Sequence, residues 1–249
     1  MANRNPSFGC GSIFAALFLI GLAVTFWQGL TGTEPTPAPS VTDSPADTYS
    51  FPPAAATEEP AATTAAAPRA AFKTINLKGR GNKIAKIKIP EDAAAIAVIT
   101  NRGDSNFTVW SVAADGSTNS LLVNEIGSYR GTRLFDASAG EHSVALKIES
   151  NGTWAIAVKP ITSAKVWNPA KAATGTGSMV LRVTGVLDDL AVMKIAHNGA
   201  SNFAVSTYSD EGVDLQVNEI GRYSGESLFP GSTILVEIEA DGAWSITPG

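Results

Sequence analysis

The chain has 249 residues, of which 44% are hydrophobic, 8% aromatic and 16% charged, which excludes a fully disordered polymer and a protein with many membrane spans. Its net charge of −5 argues against a nucleic-acid partner, because no basic surplus offsets phosphate repulsion. With one cysteine, Cys10, and two histidines, an intramolecular disulfide and a Cys/His zinc site are excluded, and we expect no metal and no cofactor.

The first predicted element is an apolar helix over residues 13–30, a segment without a charged side chain. As a helix it would be roughly 27 Å long, close to the thickness of a membrane core. Arg4 precedes it and no basic residue closely follows it, so residues 1–12 are predicted to be cytoplasmic and the rest extracytoplasmic. The alternative is a signal peptide whose cleavage releases a secreted protein, although no small-residue cleavage pattern follows the apolar run.

Residues 31–72 form the next segment, which is dominated by Pro, Ala, Thr and Ser. Such a composition buries too little apolar surface to offset the entropy of ordering the chain. We therefore predict a disordered linker that tethers the following domains to the membrane.

Beyond the linker the sequence repeats itself. The pattern GxG recurs at 79–81 and 175–177, SNFxV at 105–109 and 201–205, VNEIGxYxG at 123–131 and 217–225, and IExxGxWxI at 148–156 and 238–246. Because the order of the matches is unbroken, the pattern indicates two copies of one module, at 73–160 and 178–249, joined by a connector at 161–177.

Each copy contains about seven or eight short apolar or alternating runs separated by turn residues such as Asn151-Gly152. This spacing is typical of an antiparallel sandwich or a small barrel. The predicted fold class is all-β: two tandem antiparallel β-sandwich modules, jelly-roll-like, after an N-terminal transmembrane helix and a disordered linker. We expect the two copies to unfold independently.

The combination of SNFxV, VNxIGxYxG and IExxGxWxI resembles a β-module found, often in tandem, in secreted or envelope-anchored proteins of high-GC Gram-positive (actinobacterial-type) bacteria. The resemblance covers both copies. It implies β-modules on the outer side of a cell membrane, and it assigns no activity.

Two polar pairs, Asn124-Glu125 and Asn218-Glu219, lie between apolar residues at equivalent positions of the copies. A carboxylate and an amide repeated in this way could face a ligand. The alternative is that the asparagine forms the turn while the glutamate caps neighbouring backbone groups.

Aromatic residues give a second set of candidates. Trp154 and Trp244 alternate with isoleucine on a closing strand, which favours core packing. Trp110 and Tyr208 each lack an aromatic counterpart in the other copy. We therefore expect their rings to be exposed, where they could form a carbohydrate-binding surface.

Lysines cluster on the leading strand of the first copy at Lys83, Lys86 and Lys88. They could contact an anionic wall polymer or lipid headgroups, or they could be edge-strand lysines that block aggregation. Residues 77–160 carry ten basic and eight acidic side chains, whereas residues 161–249 carry five and ten. The opposite charges of the copies also permit head-to-tail docking between them.

No catalytic residue is predicted, because His142 and His197 correspond to Ser232 and Asn101 in the other copy. The sequence favours a membrane-anchored, extracytoplasmic, non-enzymatic module that binds a cell-envelope polymer or carbohydrate. The alternatives are an accessory or structural subunit of an envelope protein complex and a secreted hydrolase. Exposed coplanar aromatic rings, an apolar surface patch, and a cleft with a histidine beside a nucleophile would distinguish the three.

Overall fold

The computed structural model of the protein describes residues 72–187 and 190–249. The predicted segments 1–12 and 13–30, and the linker before Phe72, lie outside the described residues. Within the described part, no helix has the length and apolarity needed to cross a membrane.

The first half of the described chain contains eight strands that form two antiparallel sheets. The strands are β1 Ile75–Arg80, β2 Lys83–Lys86, β3 Ala95–Arg102, β4 Asn106–Val112, β5 Thr118–Ile126, β6 Tyr129–Phe135, β7 Ala145–Glu149 and β8 Thr153–Pro160. Their sheet orders are β1-β8-β3-β6 and β2-β7-β4-β5. We call this pair of sheets the first sandwich. A chain that passes back and forth between two four-stranded sheets in this order has the double-sheet jelly-roll topology.

The second half repeats the same arrangement and adds one strand. After a 3₁₀ turn at Ile161–Ser163 come β9 Lys165–Trp167, β10 Ala173–Thr176, β11 Met179–Val183, β12 Leu190–Asn198, β13 Asn202–Ser209, β14 Gly212–Ile220, β15 Tyr223–Pro230, β16 Leu235–Glu239 and β17 Ala243–Pro248. The sheet orders are β10-β17-β12-β15 and β14-β13-β16-β11-β9. These sheets form the second sandwich. The added strand β9 comes from the connector and pairs in parallel with β11.

Each sandwich encloses its own apolar core because side chains alternate between the two faces of every strand. Phe107, Val109 and Ile156 are buried in the first core, and Phe203 and Ile246 in the second. The equivalent residues of the repeat therefore occupy equivalent core positions.

The repeated GxG pattern lies beside the buried tryptophans. A Cβ atom at Gly79 would collide with the ring of Trp154, so only glycine leaves room for the indole. Gly81 has a φ of 71°, and its carbonyl oxygen accepts the Trp154 indole N–H at 2.9 Å. The same contacts recur in the second sandwich, so the first glycine of the motif provides space and the second provides the turn and an acceptor.

The predicted all-β class with antiparallel sheets is confirmed for the described residues. These residues belong to one compact unit. The boundaries 73–160, 161–177 and 178–249 stay a prediction, and the sheets divide between the connector's 3₁₀ turn and β9.

Candidate interaction surfaces

The two sandwiches meet through the outer faces of two sheets. From the first sandwich, Ile96 on β3 and Leu134 on β6 contribute to a third apolar cluster. Val180 on β11 and Leu235 on β16 contribute from the second sandwich, and Ala164 from the connector. All five residues are buried, so this cluster removes an apolar patch on each sandwich from water.

A carboxylate closes the edge of β6 at this interface. Glu237 accepts the backbone N–H of Leu134 at 2.9 Å and lies 3.1 Å from the guanidinium Nε of Arg133. The hydroxyl of Tyr208 donates to the same carboxylate at 3.0 Å. Two residues earlier on β6, the backbone N–H of Thr132 donates to the Ser178 carbonyl at 2.9 Å. The second sandwich therefore satisfies two N–H groups that an edge strand would otherwise leave free.

The electrostatics of this interface follow from its burial. Burial lowers the pKa of the Arg133 guanidinium, but the charges of Glu237 and Glu239 raise it by more, so the net shift is upward. Burial, and then the negative charge of Glu237, raise the pKa of the Tyr208 hydroxyl. Arg133 therefore stays charged and Tyr208 stays protonated and able to donate.

In the second sandwich, the outer face of β12 and β15 is equivalent to the buried outer face of β3 and β6, but nothing in the described part of the chain covers it. Val192 pairs with Leu228 across β12 and β15 in the register that joins Ile96 to Leu134 across β3 and β6. Ile96 and Leu134 are 2% and 6% exposed, whereas Val192 and Leu228 are 43% and 51% exposed. The same apolar pair is thus covered in one copy and uncovered in the other.

In the first sandwich, the outer face of β2 and β7 is equivalent to the outer face of β11 and β16, which packs against the first sandwich. The face of β2 and β7 is also uncovered in the described part of the chain. In the second sandwich Val180 pairs with Glu237, and in the first Ile84 pairs with Lys147 at the equivalent positions of β2 and β7. Val180 is 1% exposed and Ile84 is 68% exposed. Trp110, on β4, pairs with Lys147 on β7. We call the row Ile84, Lys147 and Trp110 the open row of the first sandwich.

Trp110 and Tyr208, predicted from sequence as exposed rings, are both half-buried. Trp110 lies on the open row, with its strand neighbours Lys147 and Leu121 on either side. Tyr208 packs against the cluster between the sandwiches, and its hydroxyl is bonded to Glu237. The structure therefore does not bring the two rings together on one surface.

The two polar pairs occupy the ends of β5 and β14, and their glutamates have different surroundings. Asn124, Asn218 and Glu219 are exposed, whereas Glu125 is half-buried. Burial, followed by the charges of Glu239 and Asp241 from the second sandwich, raises the pKa of Glu125. Glu125 therefore lies within the electrostatic reach of the interface between the sandwiches.

We expect Glu125→Gln to raise the free energy of unfolding at pH 7 by less than about 1 kcal/mol. Because the pKa of Glu125 is higher in the folded than in the unfolded chain, its ionisation opposes folding. The gain should fade below about pH 4, where the carboxyl is protonated in both states. Denaturant titrations at pH 7 and pH 4 test this, with the exposed Glu219→Gln as the control; a lower stability at pH 7 would contradict it.

The three candidate lysines are all exposed, but they do not share one face. Ala85, Ile87 and Ile89 point into the core, so Lys86 and Lys88 lie on the outer side of the sheet. Lys83, at the start of β2, is an odd number of residues from Lys86 and Lys88, so it lies on the other side of the sheet. Strand β2 is an edge strand of its sheet. This position agrees with both interpretations of the lysines, contact with an anionic polymer or headgroup and protection of the edge against aggregation.

His197 is buried in a turn network. Its Nδ1–H donates to the Gly221 carbonyl at 2.7 Å, and its Nε2 accepts the Gly242 N–H at 3.3 Å. The ring stacks on Phe203 with centroids 4.3 Å apart. In the first sandwich the amide of Asn101 donates to the equivalent Gly127 carbonyl at 2.8 Å. Both residues hold the turn at the end of the Asn-Glu-Ile-Gly sequence, and the Nε2 atom of His197 also lies 3.2 Å from the carboxylate of Asp241.

A cleft of about 490 Å³ is lined by residues of both sandwiches and is rich in carboxylates. Its acidic side chains are Glu91, Asp92, Asp136, Glu141, Asp210 and Glu211. Asp136 is buried, and both its oxygens accept hydrogen bonds from Ser143. Among residues 72–187 and 190–249, no group of three His, Cys, Asp or Glu side chains is arranged to hold a metal ion.

Sequence reasoning did not single out Arg133, Glu237 or the faces they join. A signal was available in Leu235-Val236-Glu237-Ile238, where an acidic residue interrupts a run that is otherwise apolar on both faces of the strand. The other copy has Lys147 at this position, so the copies differ in charge at the residue that lies beside Arg133 in the interface.

No protein-family model matches the chain, and no curated protein matches it. Among solved structures, the stem and receptor-binding domain of the spike protein P1 from bacteriophage PM2 aligns with 13% sequence identity. The alignment covers 74% of this chain and 81% of that chain, with a TM-score of 0.12. At so low a TM-score the alignment gives no information on fold or function.

Proposed function

We propose that this chain is a non-enzymatic protein-interaction module of the cell envelope, tethered to the outer side of a membrane. The observation that carries the proposal is the open apolar pair Val192 and Leu228. The equivalent pair, Ile96 and Leu134, is buried against another sandwich. A surface that binds a β-sandwich in one copy of a repeat is chemically suited to bind protein in the other.

The character of the exposed surface supports protein rather than carbohydrate as the partner. Every phenylalanine, tyrosine and tryptophan among the described residues is buried or half-buried. The exposed large side chains are aliphatic and most lie on the second sandwich: Val166, Val186, Leu190, Val192, Val213, Leu215, Ile220, Leu228 and Ile234. Sugar recognition relies on accessible aromatic faces, whereas exposed aliphatic patches are typical of protein contacts.

The tether and the location rest on the sequence. The apolar segment 13–30 is long enough to anchor the chain, and the linker 31–72 is long enough to hold the sandwiches away from the membrane surface. The resemblance to tandem modules of envelope-anchored actinobacterial-type proteins agrees with this location. We therefore place the interaction on the extracytoplasmic side, as an accessory or structural role in an envelope assembly.

Site-specific photo-cross-linking of the full chain in the cells that produce it tests the proposal. A photoreactive amino acid at position 228 should form covalent adducts with protein, because Leu228 lies on the open face. The matched control is position 174 on β10, which is also exposed but lies at the opposite edge of the same sheet. Adducts with polysaccharide alone, or equal protein adducts at both positions, would contradict the proposal.

A further inference from the structure

We infer that the partner on the open face is a second copy of this chain, so that successive chains associate head to tail. The inference rests on the proposed protein-interaction function and names its partner. It follows from comparing each half of the interface between the sandwiches with its counterpart in the other copy.

The interface joins two different surfaces, and each has an unoccupied counterpart. One surface is the Ile96 and Leu134 face, and its counterpart is Val192 and Leu228 in the second sandwich. The other is the row that contains Val180 and Glu237, and its counterpart is the open row of the first sandwich. A second chain can therefore repeat, between chains, the apolar part of the contact that each chain makes within itself.

The backbone supports the same pairing. Thr132 and Leu134 direct their N–H groups away from β3, towards acceptors in the second sandwich. Glu226 and Leu228 hold the same register against β12, so their N–H and carbonyl groups also point outwards. Since β15 is the last strand of its sheet, this edge has no strand beside it among the described residues. At β6 the Leu134 N–H donates to Glu237, whereas Lys147 at the equivalent position has only donors, so the corresponding contact at β15 would use its outward carbonyl groups.

The charges are complementary where the contact would form. Lys147 occupies the position of Glu237 and keeps its side chain 45% exposed, although it pairs with Glu149 at 2.8 Å. Glu226 stands at the position of Thr132, opposite Lys194 on β12. Lys147 of one chain would thus meet a carboxylate and outward carbonyl groups of the next. The basic excess of residues 77–160 and the acidic excess of residues 161–249 favour the same orientation.

The two surfaces are different, so the contact is heterologous. Each bound chain leaves one open row and one open face free at the ends of the assembly. Association of this kind continues into linear arrays unless the rotation between chains closes a ring.

Paired cysteines test the geometry directly. In full chains carrying Cys10→Ser, Ile84→Cys in one chain should form a disulfide with Leu228→Cys in another, because the equivalents Val180 and Leu134 share a cluster. A chain with both substitutions should give a ladder of oligomers on a non-reducing gel. Thr174→Cys with Ile84→Cys is the control and should not cross-link. Cross-linking of Leu228→Cys with itself as efficiently as with Ile84→Cys would overturn the head-to-tail arrangement.

Sedimentation of the full chain in detergent completes the test. The parent and Thr174→Asp should form concentration-dependent oligomers, whereas Ile84→Asp and Leu228→Asp should each lose them while keeping the circular dichroism spectrum of the parent. A monomeric parent overturns the inference. If photo-cross-linking at position 228 then captures a different protein, the proposed function stands without self-association; if it captures none, both fail.

Discussion

Replacing Glu237 with alanine is expected to lower the free energy of unfolding by about 3–5 kcal/mol. The substitution leaves the Arg133 guanidinium nearly buried without its main counter-charge, since only 12% of that side chain is exposed. It also leaves the Leu134 N–H and the Tyr208 hydroxyl without their acceptor. The buried guanidinium keeps only the partly exposed Glu239 as a counter-charge, and two donors lose their acceptor, so the cost exceeds the loss of any one contact. Denaturant titration of the full chain measures the loss.

Two further variants test whether the loss of stability comes from the buried pair of Arg133 and Glu237 or from any substitution at the interface. Glu239→Ala removes the other carboxylate bound to Arg133, at 2.6 Å, but Glu239 is 37% exposed, so we expect a loss of about 1 kcal/mol or less. The double variant Arg133→Met with Glu237→Leu removes both charges and should be more stable than Glu237→Ala alone. Equal losses for Glu237→Ala and Glu239→Ala would contradict this account.

The same interface changes the expected unfolding behaviour of the chain. Repetition of sequence alone predicts two modules that unfold independently. However, the cluster that contains Ile96, Leu134, Val180 and Leu235 is shared between the sandwiches. We therefore expect one cooperative transition in the parent and two in Glu237→Ala, because that substitution removes the polar contacts that hold the shared cluster together.

The fold class could be predicted because its determinants are local and repeated. Alternation of apolar residues sets the strands, and turns such as Asn151-Gly152 set their ends. The repeat also predicts that His197 corresponds to Asn101, and both side chains donate a hydrogen bond to the equivalent glycine carbonyl. These features depend on residues close in sequence or fixed by the repeat, so pattern alone identifies them.

The surfaces could not be predicted, because the pattern that defines an inner face says little about which outer face is covered. Ile96 and Val192 are equivalent in sequence and differ in exposure only because a second sandwich packs on one of them. The lack of an aromatic counterpart in the other copy predicts an exposed ring for Tyr208. Its ring instead contacts the shared cluster, a relation that depends on the docking of two domains rather than on strand periodicity.

Trp244→Ala is expected to cost about 3–5 kcal/mol, because the indole is buried in the second core and its removal leaves a cavity. It also removes the hydrogen bond from the indole N–H to the Gly177 carbonyl at 2.9 Å. Trp154→Ala should cost a similar amount, since the equivalent ring bonds Gly81 at 2.9 Å. Trp110→Ala is the matched control. Its ring is half-buried on an outer face, so its loss should be clearly smaller.

The glycine beneath each ring provides the sharper test. Gly175→Ala should destabilise the chain strongly, because the added Cβ would overlap the Trp244 ring, although the methyl group itself is small. Combining Gly175→Ala with Trp244→Leu should recover part of that loss, since the smaller side chain vacates the space the methyl group needs. Such a coupling requires direct contact between the two residues. Additive losses in the double variant would show that Gly175 is needed for its backbone alone and not for the space it gives the indole.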